Sequence, residues 1–135
     1  MIEPSERGFV AVEWVAAIAL LLVPMIVLVA MLPMWAERRA AASLAAEEAA
    51  KVLVDEWPHG DGADAVEAAH EVAADHDVDA ADVALYIESV GGERGDDVRV
   101  RISVRMPAVS VLGMHAGEWR YESVVTRRID DYRSR

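Results

Sequence analysis

Between Trp14 and Ala36 the chain runs for 23 residues without a charged side chain. As an α-helix that stretch would rise about 34 Å, enough to cross a hydrocarbon core of roughly 30 Å. A soluble core could not absorb it. The run is apolar on every side, and a chain of 135 residues has too little remaining protein to wrap such a helix. A cleavable secretory signal fits no better, because its apolar region should cover about 7 to 15 residues behind a basic leader. Here the leader holds Glu3, Glu6 and a single Arg7. A membrane-spanning helix is the expectation. Trp14 and Trp35 stand at its two ends, where an indole ring can straddle headgroups and acyl chains. Pro24 and Pro33 would each remove one internal hydrogen bond, which membrane helices tolerate when neighbours satisfy the freed carbonyls.

With the apolar excess placed there, the rest of the chain reads as one small polar domain. From Glu37 to Glu56 the sequence is rich in strong helix formers and free of Gly and Pro, so the membrane helix should continue to about Glu56. The segment Trp57-Pro58-His59-Gly60-Asp61-Gly62 should break it. A second helix is expected from about Ala63 to Asp75, with Val66, Ala69 and Ala73 on one stripe. The period then changes. Val98, Val100, Ile102, Val104 and Met106 alternate with Arg99, Arg101, Ser103 and Arg105, which predicts a strand with one buried face. Val83 to Val90 should pair with it across the turn Gly91-Gly92-Glu93-Arg94-Gly95-Asp96. A third strand is expected over roughly 118–129, with a bulge near Ser123 where the alternation slips. The predicted fold class is α+β: a long N-terminal transmembrane helix extended into the aqueous phase, a short second helix and a three-stranded antiparallel meander.

The charge pattern excludes some functions. A net charge of -11 argues against nucleic acid, because binding phosphates needs clustered Lys and Arg. The absence of cysteine removes thiolate nucleophiles and Cys-based zinc sites. The acidic run Asp75-His76-Asp77-Val78-Asp79-Ala80-Ala81-Asp82 opens like a calcium loop, but Ala80 stands where the turn needs Gly and Tyr86 where the bidentate Glu should be. His59, His70, His76 and His115 show no metal-ligand spacing. No nucleophile elbow, phosphate-binding loop or metalloprotease helix occurs, so neither a catalytic site, a metal nor a cofactor is expected. Charge is nonetheless divided: between Glu47 and Asp97 only Lys51 and Arg94 are basic, whereas arginines crowd the sheet end. Ordinary solvation and steering between subunits are both compatible with that division.

The join between leader and apolar helix reads Ser5-Glu6-Arg7-Gly8-Phe9-Val10-Ala11-Val12-Glu13-Trp14. A carboxylate at the edge of an apolar helix is costly enough to call for a partner. If the chain were cut after Gly8, the new α-amine of Phe9 could match the charge of Glu13 on a neighbouring subunit. The pattern resembles the type IV pilin class, with a short hydrophilic leader ending in Gly, an apolar helix starting at once, and Glu at the fifth position after the cut. Glu13 followed by the aromatic Trp14 is similar to the tight-adherence (Flp) branch, and the remainder resembles its longer TadE/TadG-like minor pilins or pseudopilins. The specific likeness covers about seven residues; the Ala-rich helix extension, the strands and the terminal Tyr132-Arg133 are looser similarities.

The resemblance implies four segments: a leader over 1–8, an assembly helix over 9–36, its extension over 37–57 and a soluble domain over 58–135. It implies cleavage between Gly8 and Phe9 by a prepilin peptidase and incorporation with other pilin or pseudopilin subunits and the pilus assembly machinery. The N-terminus would be cytoplasmic and the C-terminal domain extracytoplasmic. Ala16, Ala17, Trp14 and Pro24 would lie in the helix-packing zone, where small residues let helices approach closely. Arg38 and Arg39, beyond the outer end of the run, weigh the other way on orientation by the positive-inside rule.

Overall fold

The computed structural model describes residues 4–56, 62–90, 95–111, 114–115 and 117–129. Its dominant element is α1, Pro4–Glu56, a single helix of 53 residues and so about 80 Å long. It starts at Pro4, five residues before the expected start at Phe9. Proline suits a first helical turn, where its missing N–H would be unpaired anyway, and a single Gly8 is too weak a breaker to delay the helix. The helix continues through Pro24 and Pro33 and ends at Glu56, as the composition predicts.

Four other segments expected from sequence lie wholly or partly outside the described residues. They are the leader residues 1–3, the breaker at 57–61, the glycine turn at 91–94 and the terminal Tyr132-Arg133.

The second helix, α2, spans Ala63–Asp75. Gly62 precedes it at φ 83, and its carbonyl accepts from Val66 N at 3.1 Å. A Cβ on Gly62 would meet Ile87 Cδ1 at 2.7 Å, a side-chain end that can shift, so it is the backbone angle that favours glycine there. Ala65, Ala69 and Ala73 are the buried face of α2, whereas Val66 is only half-buried. Ala69 and Ala73 are thus buried as expected, and Ala65 rather than Val66 completes the buried face.

After a short 3-10 turn over Ala80–Asp82, the chain enters β1 (Val83–Val90), β2 (Asp97–Met106), the two-residue strands β3 (Ser110–Val111) and β4 (Met114–His115), and β5 (Trp119–Arg128). The main sheet is antiparallel in the order β1-β2-β5, and β3 and β4 form a small hairpin inside the β2–β5 connection. That hairpin is not expected from sequence, since two-residue strands leave no period to read. The expected bulge is also relocated. The β2–β5 register is unbroken from Asp97↔Arg128 to Met106↔Trp119, and the irregularity falls in β1 between Ile87 and Ser89.

One face of the sheet packs on the helices. Val98, Val100, Ile102, Val104 and Met106 are all at most 1% exposed, and Leu85, Tyr121 and Val125 flank them. The helix side of this core is built almost wholly of alanine: Ala41, Ala42, Ala45, Ala46, Ala49 and Ala50 of α1, then Leu53. These positions recur at helical spacing, so a broad stripe of α1 is shared between the sheet and α2. The domain is a two-layer α+β unit with the C-terminal third of α1 as its central element.

Candidate functional site

Three places on this fold carry residues of functional interest. The first is the N-terminal part of α1. From Val10 to Ala30 every residue is exposed except Pro24 and Val27, which are half-buried. Val15, Leu20, Leu21 and Met25 are each more than 60% exposed. The helix is long and apolar enough to cross a membrane, which is consistent with single-pass anchoring. The backbone of Gly8 and Phe9 belongs to this helix, five and four positions before Glu13. Glu13 is exposed and makes no hydrogen bond or ion pair with any described residue. Trp14, Ala16 and Ala17 are exposed too. Among the described residues, nothing of the domain covers Glu13, Trp14, Ala16 or Ala17, and Pro24 is half-buried.

The second place is the seam where α1 meets the domain, which sequence reasoning did not find. Trp35 meets Trp119 of β5 edge to face, with ring centroids 6.0 Å apart. Arg38 Nη1 donates to Asp82 Oδ2 at 3.0 Å and to the carbonyl of Arg105 at 2.7 Å. Asp82 also faces Arg105 Nε at 3.8 Å. The Arg39 guanidinium lies 5.0 Å from the Tyr121 ring centroid. Three residues of α1 thus hold the 3-10 turn, β2 and β5 at the point where the uncharged run ends. Trp35, expected as a free interfacial ring, is half-buried here, and its Nε1 is buried without a partner among the described residues. Asp82, expected in a solvated acidic turn, is an ion-pair partner only 23% exposed in its side chain.

The third place is the sheet face turned away from the helices. A shallow hollow of about 540 Å³ is lined there by Ala84, Tyr86, Glu88, Arg101, Ser103, Arg120 and Glu122. Arg101 sits between two carboxylates, Glu88 Oε1 at 2.5 Å and Glu122 Oε2 at 3.2 Å. Arg120 Nη1 donates to Ser103 Oγ at 3.3 Å, which helps explain why Ser103 is buried on an otherwise open face. Each carboxylate lining the hollow is thus paired with an arginine, an arrangement suited to holding strands in register and to polar contact with another surface. Among the described residues no group of three or more His, Asp or Glu is arranged to hold a metal ion.

Comparison with protein-family models, curated protein sequences and solved structures finds no match to this chain.

Proposed function

We propose that the chain is a structural subunit of the minor pilin or pseudopilin kind, resembling the TadE/TadG-like proteins of the tight-adherence branch, and that it works by assembly rather than by catalysis. One observation carries the reading: a largely exposed apolar helix presents a carboxylate, Glu13, that has no partner among the described residues and stands five positions after Gly8. A prepilin peptidase cutting between Gly8 and Phe9 would create the α-amine that such a carboxylate needs, on a neighbouring subunit. The packing of that helix against others would use Trp14, Ala16, Ala17 and Pro24.

The domain supports the same reading with two surfaces of different charge. Asp64, Glu67, Glu71 and Asp75 form an exposed acidic stripe on α2, whereas the open sheet face carries Arg99, Arg101, Arg105, Arg120 and Arg128. Complementary surfaces of this sort suit contact between subunits. The same arginines favour a second reading, a single-pass anchored protein whose domain binds an acidic partner.

The deciding measurement is the first residue of the protein recovered from its native membrane. A start at Phe9 is expected; a start at Met1 or Ile2 selects the anchored-binder reading. Glu13→Ala should then leave membrane insertion intact and lower the yield of subunit in assembled material. Normal assembly by that variant would remove the pairing argument.

A further inference from the structure

We propose that the acidic stripe of α2 docks on the open sheet face of a second copy of this chain standing in the same membrane, so that copies join head to tail; this names a contact within the assembly reading above and rests on that reading.

Each surface carries charge that its own copy leaves unmatched. Asp64, Glu67, Glu71 and Asp75 recur at helical spacing and share one side of α2. All four are exposed, none has a hydrogen bond or ion pair with a described residue, and α2 contains no Lys or Arg. Like charges four residues apart on a helix repel, so the stripe costs stability until cations cover it. The open sheet face has the opposite excess. Arg101 is taken by Glu88 and Glu122, Arg105 faces Asp82, and Asp97 stands opposite Arg128 in register. Arg99 and Arg120 are exposed and remain without a carboxylate partner among the described residues. Stripe and arginines cannot meet within one copy, because α2 lies in the helix layer and the arginines stand on the sheet face turned away from it.

Both surfaces cover the same stretch of α1. At its membrane end, Trp35 touches Trp119, and Arg38 holds both the Arg105 carbonyl and Asp82, which follows α2 in the chain. At the other end, a Cβ on Gly62, just before α2, would lie 2.7 Å from Ile87 Cδ1 and 3.9 Å from Leu53 Cδ2. Ile87 in turn pairs with Val100, beside Arg99. The stripe from Asp64 to Asp75 is about 17 Å long, and the arginine ladder from Arg99 to Arg105 about 20 Å. Two copies that cross one bilayer in the same direction hold their domains at the same height. The Asp75 end then faces Arg105 and Arg120, and the Asp64 end faces Arg99, with no shift along the helix axis.

Because the two surfaces differ, the contact is heterologous: each copy offers its sheet to one neighbour and its α2 to another, and a row can grow. A two-fold pair would instead set stripe against stripe or ladder against ladder, which like charges oppose.

The chain has no cysteine, so single substitutions give single crosslinking sites. Full-length Glu71→Cys protein and epitope-tagged full-length Val124→Cys protein would be reconstituted together in phosphatidylcholine vesicles and treated with a short bis-maleimide. Glu71 lies within the stripe, and Val124, 49% exposed, pairs with Arg101 in the middle of the ladder. A product joining 71 to 124 should exceed the like-with-like products. Adding Glu67→Arg and Asp75→Arg to the first protein should lower its yield about tenfold by opposing like charges. Adding Arg99→Glu and Arg120→Glu to the second should then restore it, which a folding defect would not allow. A yield indifferent to these reversals, or mainly like-with-like products, overturns the contact. If 71 and 124 give no product while Ala16→Cys copies crosslink to one another, copies associate through α1; the sheet contact is wrong and the assembly reading stands. If the Ala16→Cys copies also fail to crosslink, the assembly reading falls and takes the proposal with it.

Discussion

The two halves of α1 meet the same requirement, burial of an apolar surface, by opposite means. From Val10 to about Ala36 large side chains project on all sides, and Trp14, Val15, Leu20 and Leu21 are each more than 60% exposed. From Ala41 to Leu53 the buried side chains are nearly all methyl groups, with charged residues such as Glu47 and Lys51 outside. The first half is long and apolar enough to cross a membrane, and an apolar surrounding phase would cover it. The second creates its apolar surroundings from β2, β5 and α2, and small residues let those elements come close. One continuous helix is therefore suited to a change of solvent partway along, and side-chain size marks that change as plainly as polarity does.

The widest separation of the halves comes from a pair of variants. Ile102→Ala, at the centre of the sheet's buried face, should lower the domain's unfolding free energy by about 2 to 5 kcal/mol and leave membrane insertion unaffected. Met25→Arg, near the middle of the uncharged run, should weaken insertion by about 2.5 to 3.5 kcal/mol and leave the domain's unfolding unaffected. Denaturant unfolding in micelles reads the first, and carbonate extraction of membranes reads the second. If each variant disturbed both properties, the helix would be one energetic unit and the comparison would fail.

A somewhat smaller effect tests the role of size. Ala46→Leu adds bulk at a position of 0% exposure in the alanine stripe, and overpacking there should cost about 1 to 3 kcal/mol of domain stability. The same change at Ala30, exposed on the apolar half, should leave domain stability unchanged. A neutral Ala46→Leu would show that the interface has slack, and the close approach inferred from the alanines would be wrong.

Much of this arrangement was legible in the sequence because it repeats. The Val/Arg alternation of β2 has a strict period of two, and its burial follows residue by residue from Val98 to Ile102. The end of α1 and the whole of α2 sit where helix formers meet Gly and Pro. The bulge was misplaced for a physical reason. Ser123 looks like a slip because it is polar, yet it pairs in register with Ile102 and is half-buried on the core side, while Val124 faces outward at 49% exposure. In β1 the true irregularity shows as spacing: Val83, Leu85 and Ile87 step by two, and the next residue in register with the core is Val90. The pattern at Gly8, Phe9 and Glu13 is local and could be read directly; the fold adds that the helix around Glu13 is free. The seam could not be read, because Arg38 and Asp82 are 44 residues apart and no period links them.

That seam is where the two halves are joined, so its strength decides whether the helix can move independently of the domain. Arg38 is 18% and Asp82 23% exposed in their side chains, and Arg38 also supplies the β2 carbonyl of Arg105 with a donor. Arg38→Ala leaves Asp82 facing only Arg105 at 3.8 Å. Losing these charge-assisted bonds should cost about 1 to 3 kcal/mol of domain stability, read in the same micelle unfolding experiment. Lys51→Ala is the control. Its pair with Glu48 is 3.0 Å long but 53% and 40% exposed, so its removal should change stability by less than about 0.5 kcal/mol. If both variants cost the same small amount, the Arg38 bonds add nothing beyond an exposed pair. The domain would then be held to α1 by the alanine stripe and the Trp35–Trp119 contact, and the change of solvent along the helix would need no fixed seam.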